Sequence, residues 1–305
     1  MLTLNAPAKI NWFLKILGLR DDGFNEIQSL IQQVTLYDTL TFRPADGLSI
    51  ETDSQVPERE NLVYKAAVLL QKRCGIKKGA VIGLEKNIPM GAGLGGGSSD
   101  AATALKGLNE LWALGLPVAE LSVLAAELGS DVPFFLYGPL SLMSGRGERI
   151  VPRKALKTIY ILLVKPSFDI STAWAYRKFT HVRSAEISEA GDPLSTLYYN
   201  NDTELTKKAG KVNNIEHFIR TIERAEPGDI TDYVFNDLEH VVINSFPVIA
   251  EIKNRLLEQG AGFALMSGSG STVFGVFDSH EKAVEASRAF PDFWTAAVET
   301  VVNVD

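Results

Sequence analysis

Glycine occupies five of the seven positions from 91 to 97 in the stretch Met90-Gly-Ala-Gly-Leu-Gly-Gly-Gly-Ser-Ser-Asp100. No other feature limits the fold as strongly. Without Cβ atoms the backbone can turn tightly and come close to a ligand. Upstream, Val81 to Glu85 reads as a strand, ended by Asn87 and Pro89. Downstream, Ser98 to Leu114 reads as a helix, with Leu105, Leu108, Leu111 and Trp112 at helical spacing and Ser98, Ser99 and Asp100 as N-cap candidates. A glycine loop running straight into a helix N-terminus supplies free N–H groups and a partial positive charge, which together cradle a phosphate. A flexible linker needs neither capping residues nor an immediate helix.

Two better-known phosphate loops fit poorly. Gly91, Gly93 and Gly96 satisfy G-x-G-x-x-G, but that fingerprint wants an acid about 20 residues on, at the end of a second strand. Glu110 falls inside the expected helix instead. The P-loop wants a lysine after its last glycine, and Ser98 stands there. What remains is a loop that works through backbone amides, the helix dipole and serine hydroxyls, with its cation supplied from elsewhere in the chain.

Around that loop the chain divides into two halves. Ala8 to Leu17 alternates, with Ile10, Trp12, Leu14 and Ile16 on one face and Lys9, Asn11, Phe13 and Lys15 on the other. It reads as a half-buried strand that leaves Lys9 and Asn11 side by side on the exposed face. Asp21-Asp22-Gly23 reads as a turn. Pro117 opens a helix with the stripe Val118, Leu121, Leu124, Ala125 and Leu128, closed by Gly129. Pro133 disfavours helix at Val132, so the chain turns where Asp131 sits. Leu140 to Val151 reads as a strand with a tight turn at Gly145-Arg146-Gly147. A loose boundary at Pro152 to Lys157 separates an N-terminal domain, 1–155, from a C-terminal domain, 156–305.

In the second half, Thr158 to Val164 reads as a strand and Pro247 to Gln259 as a helix ended by Gly260. Strands over Phe263 to Met266 and Thr272 to Phe277 flank the loop Ser267-Gly-Ser-Gly-Ser271. A helix near Glu281 to Ala289 and a strand near Val298 to Val304 follow. This order suggests an α+β arrangement, an antiparallel sheet backed by helices. The loop at 267–271 reads equally as a hairpin turn or as a site of close approach by a ligand or the other domain. Arg183 to Asp232 is polar and without clear periodicity.

Composition removes several classes of function. Thirty basic against 37 acidic residues gives a formal charge of −7, which argues against a broad nucleic-acid surface. A small anionic substrate stays possible, since a few placed cations and amides can hold it. Cys74 is the single cysteine among 305 residues, so no internal disulfide forms and a reducing, cytoplasmic setting is expected. The best apolar run, Ile159 to Val164, is far short of the ~18 residues of a membrane span. No secretory signal is visible. His181, His217, His240 and His280 are scattered without ligand spacing, so no metal site is expected from them. Cys74 reads as a structural residue at a helix end.

Taken with a nucleotide loop, Lys9 and Asp131 form a coherent set. Phosphoryl transfer needs a positioned hydroxyl, a group to accept its proton, and cations on the transferring phosphoryl. Asp131 suits the base and Lys9 the cation that holds the carboxylate and the developing charge. Magnesium is expected to accompany the nucleotide, with Ser98, Ser99 or Asp100 in reach.

The loop Pro89 to Ala102 resembles the ATP loop of the GHMP kinase superfamily. Ala6-Pro-Ala-Lys-Ile-Asn11, Gly129-Ser-Asp-Val-Pro-Phe-Phe135, Gly145-Arg-Gly-Glu148, Asn236-Asp-Leu-Glu239 and Ser267-Gly-Ser-Gly-Ser-Thr-Val-Phe274 match the same branch of it in order and rough spacing. That branch acts in non-mevalonate isoprenoid biosynthesis, on a cytidyl-linked methylerythritol. The resemblance implies a ribosomal-S5-like N-terminal domain, a ferredoxin-like C-terminal domain and a reaction in the cleft between them. It implies transfer of the ATP γ-phosphate to the acceptor's 2-hydroxyl, with Lys9 and Asp131 as the catalytic pair. Pro89, Met90, Gly91, Ala92, Gly93, Leu94, Gly95, Gly96, Gly97, Ser98 and Ser99 would form the ATP loop. Asn11, Phe24, Asn25, Thr172 and Tyr176 would serve the acceptor, a small molecule, with no nucleic-acid or membrane partner.

The chain departs from that branch at one place. Asp22-Gly-Phe-Asn25 stands where the branch has Asp-Gly-Tyr-His, whose Tyr stacks on cytosine and whose His reads its edge. Phe24 keeps a stacking face, and the Asn25 amide has a donor and an acceptor for a cytosine edge. The alternatives are a sibling kinase acting on homoserine, mevalonate or a sugar, and a non-catalytic nucleotide-binding protein.

Overall fold

The computed structural model describes residues 1–155, 157–190 and 233–302. Most of the polar stretch from Arg183 to Asp232, and His217 with it, lies outside the described residues. Two long strands, β1 (Leu2–Leu19) and β2 (Asn25–Ala45), pair antiparallel through the expected turn at Asp21 to Gly23. After β3 (Leu48–Thr52) come α1 (Leu62–Cys74), β4 (Gly79–Glu85), α2 (Gly96–Leu111), α3 (Val118–Leu128), α4 (Phe134–Tyr137), β5 (Leu140–Gly145) and β6 (Arg149–Arg153). The second half holds β7 (Tyr160–Lys165), α5 (Thr172–Ala190), β8 (Phe235–Asn236), α6 (Asp237–Ser245), α7 (Val248–Glu258), β9 (Phe263–Met266), β10 (Val273–Phe277), α8 (His280–Ser287) and β11 (Trp294–Glu299).

The first sheet runs β3-β4-β2-β1-β8, with β5 also on β2 and β6 on β5. Strand β2 is long enough to hold β4 along residues 39–45 and β5 along 27–32. The second sheet runs β11-β7-β10-β9, antiparallel throughout. Ile10, Trp12 and Phe13 of β1 meet Ile161, Leu163, Phe263, Leu265, Phe274 and Val276 in one apolar layer between the sheets. The Trp12 indole packs edge-on to Phe274 at 6.0 Å. Such rings supply much of a core's burial energy. The opposite face of the first sheet carries Leu14, Ile16, Ile31, Leu40 and Phe42 against α1 and α2.

Strand β1 corrects the simple alternation. A bulge between Asn11 and Phe13 leaves Trp12 as an extra residue against β2, and an extra residue reverses the faces beyond it. Ile10 therefore shares a cluster with Phe13, while Leu14 and Ile16 join the other cluster, on the face of Lys9 and Asn11. That face is not exposed either: Lys9 is 4% and Asn11 1% accessible. The last strand also differs, ending at Glu299 rather than near Val304. Its partner β7 runs out at Tyr160, and the chain then crosses to β2, where the Val301 amide donates to the Gln33 carbonyl at 2.9 Å. No helix among the described residues is long and apolar enough to cross a membrane.

Candidate active site

The glycine loop forms one wall of a cavity of about 410 Å³. Pro89 through Ser98 line it, together with Lys9, Asn11, Asp131, Thr172, Tyr176, Gly268 and Ser269. The helix behind the loop begins two residues earlier than its serines suggest. Gly95 is the N-cap of α2, at φ 71°, a left-handed conformation that favours glycine. Ser98, Ser99 and Asp100 thus fall inside the helix and cap nothing. The amide of Ser99 is taken by the Gly95 carbonyl at 2.9 Å, and the three amides before it are the ones an α-helix leaves unbonded within itself. Ser99 is fully buried, its hydroxyl has no partner among the described residues, and it does not line the cavity.

Lys9 is buried because the loop lies across its strand, with the Lys9 amide donating to the Leu94 carbonyl at 2.9 Å. Its Nζ donates to Asn11 Oδ1 at 2.6 Å. Burial pulls its pKa below the ordinary lysine value, and the charge of Asp131 partly restores it. Asp131 sits on the turn after α3, as expected. Burial, with the charges of Asp131 and Asp237, pushes the Tyr176 hydroxyl well above the ordinary range.

Lys86, absent from the residues expected from sequence, is a second cation at the cavity wall. Its Nζ pairs with Asp38 and, at 2.6 Å, with Asp100. Asp38 also accepts from the amides of Asn87 and Ile88, at 2.6 and 2.8 Å, fixing the entry to the loop. Burial raises the Asp100 carboxyl to about 7 despite Lys86, and Asp38 adds to the rise. The only hint in the sequence is a lysine three residues before Pro89, since Asp38 is distant along the chain.

The loop between β9 and β10 is both of the things its sequence left open. The Ser267 amide closes the hairpin on the Thr272 carbonyl at 2.9 Å. The Ser267 hydroxyl donates to the Gly93 carbonyl at 3.1 Å, and the Thr272 amide to the Ala92 carbonyl at 3.2 Å. A Cβ on Gly268 would lie 2.9 Å from Lys9 Nζ. Asn236 holds this loop, donating to the carbonyls of Met266 and Gly268 at 2.8 and 2.7 Å. Its neighbour Asp237 accepts from the Ile16 amide at 2.7 Å, and burial raises that carboxyl to about 6. Glu239 accepts from the Met266 amide at 2.8 Å and pairs with Lys253. The motif at 236–239 thus staples both β1 and the second loop.

Phe24 and Asn25 are not brought into the cavity. They sit at the far end of the β1–β2 turn, where Phe24 is 49% exposed and the Arg146 guanidinium stands 5.0 Å from its ring centroid. Among the described residues, no group of three or more His, Cys, Asp or Glu stands ready to hold a metal. The Ser98 hydroxyl and Asp131 carboxylate are hard oxygen donors in the cavity, suited to Mg²⁺ carried in on phosphates. Asp100 is engaged by Lys86, and Ser99 is sealed away. Cys74 ends α1, half-buried.

Residues 61–139 match the family model for the GHMP kinases N terminal domain, and residues 218–296 that for GHMP kinases C terminal. The chain is 45% identical to the 4-diphosphocytidyl-2-C-methyl-D-erythritol kinase of Thermodesulfovibrio yellowstonii, over 99% of both chains. It is 43% identical to the enzyme of the same name from a Synechococcus species, over 96% of this chain and 92% of that one. A crystal structure of a 4-(cytidine 5'-diphospho)-2C-methyl-D-erythritol kinase superposes with a TM-score of 0.79 at 31% identity, covering 99% of this chain and all of the other. A homoserine kinase from Cytophaga hutchinsonii, at 19% identity and a TM-score of 0.71, shares the fold.

Proposed function

The chain belongs to the GHMP kinases, and on that premise we propose that it transfers the γ-phosphate of ATP to the 2-hydroxyl of 4-diphosphocytidyl-2-C-methyl-D-erythritol. It is a phosphotransferase with an alcohol acceptor, of non-mevalonate isoprenoid biosynthesis. The observation that carries the residue assignment is the meeting of Lys9 and Asp131 in one cavity with the N-terminus of α2.

In this reading the loop from Pro89 to Ser99 embraces the nucleotide, and the unbonded amides of α2 hold its phosphates. Ser99 serves from behind, from inside the helix. Asp131 accepts the hydroxyl proton as the oxygen attacks the γ-phosphorus. The bond from phosphorus to the β-phosphate oxygen breaks, and ADP leaves. Lys9 balances the charge gathered on the transferring group. Mg²⁺, held by the phosphates with Ser98 and Asp131 available, would neutralise phosphate charge when bound.

Asn11, Thr172 and Tyr176 flank the acceptor. Phe24 and Asn25 serve its cytidyl end. Asn25 shares a strand face with Ile27, which lines the cavity, so an acceptor reaching along β2 meets it next. Arg146 occupies one side of the Phe24 ring, and the ring remains half exposed for a base to stack on. The division into domains 1–155 and 156–305 follows the step from β6 to β7, where the chain leaves one sheet for the other. A cytoplasmic setting agrees with the single cysteine.

The test is a panel of acceptors with ATP and magnesium, read by product mass. Phosphorylation of the cytidyl acceptor is expected. Turnover confined to homoserine, mevalonate or a sugar would assign the chain to a sibling kinase, and binding of ATP without any turnover would make it a nucleotide-binding protein. Asn25→Ala should weaken the cytidyl acceptor by ~1–3 kcal/mol and leave ATP unaffected.

A further inference from the structure

Behind Lys9 runs a chain of hydrogen bonds whose direction is forced from both ends. A lysine ammonium only donates, and Lys9 Nζ donates to Asn11 Oδ1 at 2.6 Å. The amide must then turn its nitrogen the other way, and Asn11 Nδ2 donates to Ser29 Oγ at 2.8 Å. A backbone carbonyl only accepts, and the Ser29 hydroxyl gives its own proton to the carbonyl of Phe13 at 2.6 Å. Asn11 and Ser29 are both fully buried, so no bulk water replaces a lost partner.

Ser29 has no evident packing reason to be polar. It lies on β2 between Ile27 and Ile31, on the face that enters the core beside α2. Burying a hydroxyl costs free energy unless it is hydrogen-bonded, and here both of its roles are used. The chemistry also explains why an amide, and not a carboxylate, touches Lys9. Asn11 steadies the ammonium with a neutral oxygen and leaves the whole positive charge for an anionic partner. A carboxylate at that contact would cancel the charge.

We propose that Ser29 is a positioning residue for the phosphoryl transfer, fixing the Asn11 amide with its oxygen toward Lys9 and so keeping the ammonium charged and aimed into the cavity. The assignment rests on the kinase reading of Lys9 given above. Asn11 then acts at least as much through Lys9 as on the acceptor. Removing the Ser29 hydroxyl strands Asn11 Nδ2 without an acceptor. The amide escapes by rotating half a turn, which sets its NH₂ group against the ammonium, donor against donor.

The experiment compares Ser29→Ala, Ser29→Thr and Asn11→Ala, singly and combined. Ser29→Ala should lower kcat with little change in the KM for ATP. The alkaline limb of its pH profile should move down by about one pH unit, a 10-fold loss at fixed alkaline pH. Ser29→Thr keeps the hydroxyl and should restore both. Adding Ser29→Ala to Asn11→Ala should cost nothing further, since the two act as one unit. A second readout needs no turnover: the pH at which Lys9 is half-labelled by a small amine-reactive reagent, read by peptide mass, should fall by the same unit in Ser29→Ala. If Ser29→Ala does not fold, Ser29→Cys keeps the volume, weakens the acceptor and carries the same expectation.

An unmoved pH limb and labelling profile, or a Ser29→Ala loss that adds in full to that of Asn11→Ala, overturns the proposal. Lys9 labelling that shifts as expected, in a protein that phosphorylates none of the acceptors in the panel, upholds the hydrogen-bond chain and overturns the kinase reading instead.

Discussion

Lys9 and Lys86 are both drawn into the same cavity wall, and the protein holds them in opposite ways. Lys86 sits between two buried carboxylates, Asp38 and Asp100. Their charges outweigh the cost of burial and raise its pKa above the ordinary lysine value. The Lys9 ammonium donates to a neutral amide and feels Asp131 through space, so burial wins and its pKa falls. A cation whose charge is already matched can hold structure together. One left unmatched is costly to the fold and valuable to a ligand that brings negative charge.

Deleting each ammonium should therefore have opposite consequences. Lys86→Met leaves Asp38 and Asp100 facing each other without a counter-charge, and a loss of about 3–5 kcal/mol in urea unfolding is expected. Lys9→Met should keep its stability within about 1 kcal/mol, yet lose roughly 10²- to 10³-fold in turnover. Equal unfolding midpoints for the two variants would erase the distinction.

Asp131→Asn tests the far partner of Lys9. A loss on the order of 100-fold or more in kcat is expected if Asp131 accepts the proton, with ATP affinity by calorimetry retained. Unchanged turnover would remove Asp131 from that role.

The two lysines should also separate in pH. Lys9, with its lowered pKa, is protonated more readily unfolded than folded. Its contribution to stability therefore rises with pH between the folded value and the ordinary one, ~10.4. Over the same window activity should fall as the ammonium is lost. Lys86, with its raised pKa, adds stability that persists through this window and is lost only as pH climbs through its folded value. Unfolding and rate profiles measured on the same samples should cross.

A further effect, confined to the pH slope of stability, is expected at Asp100. Its carboxyl is raised to about 7, mainly by burial, so the folded protein keeps a proton that the unfolded chain releases. That contribution is full below the ordinary carboxylate range and fades as pH rises toward neutrality. Asp100→Asn should flatten the stability profile between about pH 4 and pH 7, and a slope identical to that of the parent would sever the link.

Much of the frame was legible because its signals are local. Pro117 and Gly129 bracket α3, Gly23 shapes the first turn, and Pro133 leaves Asp131 on a turn. The glycine loop announced itself by composition alone. The errors share a cause. Ser98, Ser99 and Asp100 look like caps, but Gly95 takes the position because its left-handed backbone starts the helix sooner. Lys9 and Asn11 alternate as a solvent face would, and nothing in β1 tells that another loop lies over them.

Read alone, the chain settled the glycine-rich loop running into a helix and the α+β order, since backbone sterics and hydrophobic period act over a few residues. Only the folded chain decided that Lys9 is sealed in and backed by Asn11 and Ser29. It also decided that Lys86 is claimed by two acids, and that Ser267 and Thr272 grip Gly93 and Ala92. Burial and charge pairing depend on which distant segment covers a face, and that is a property of the tertiary arrangement.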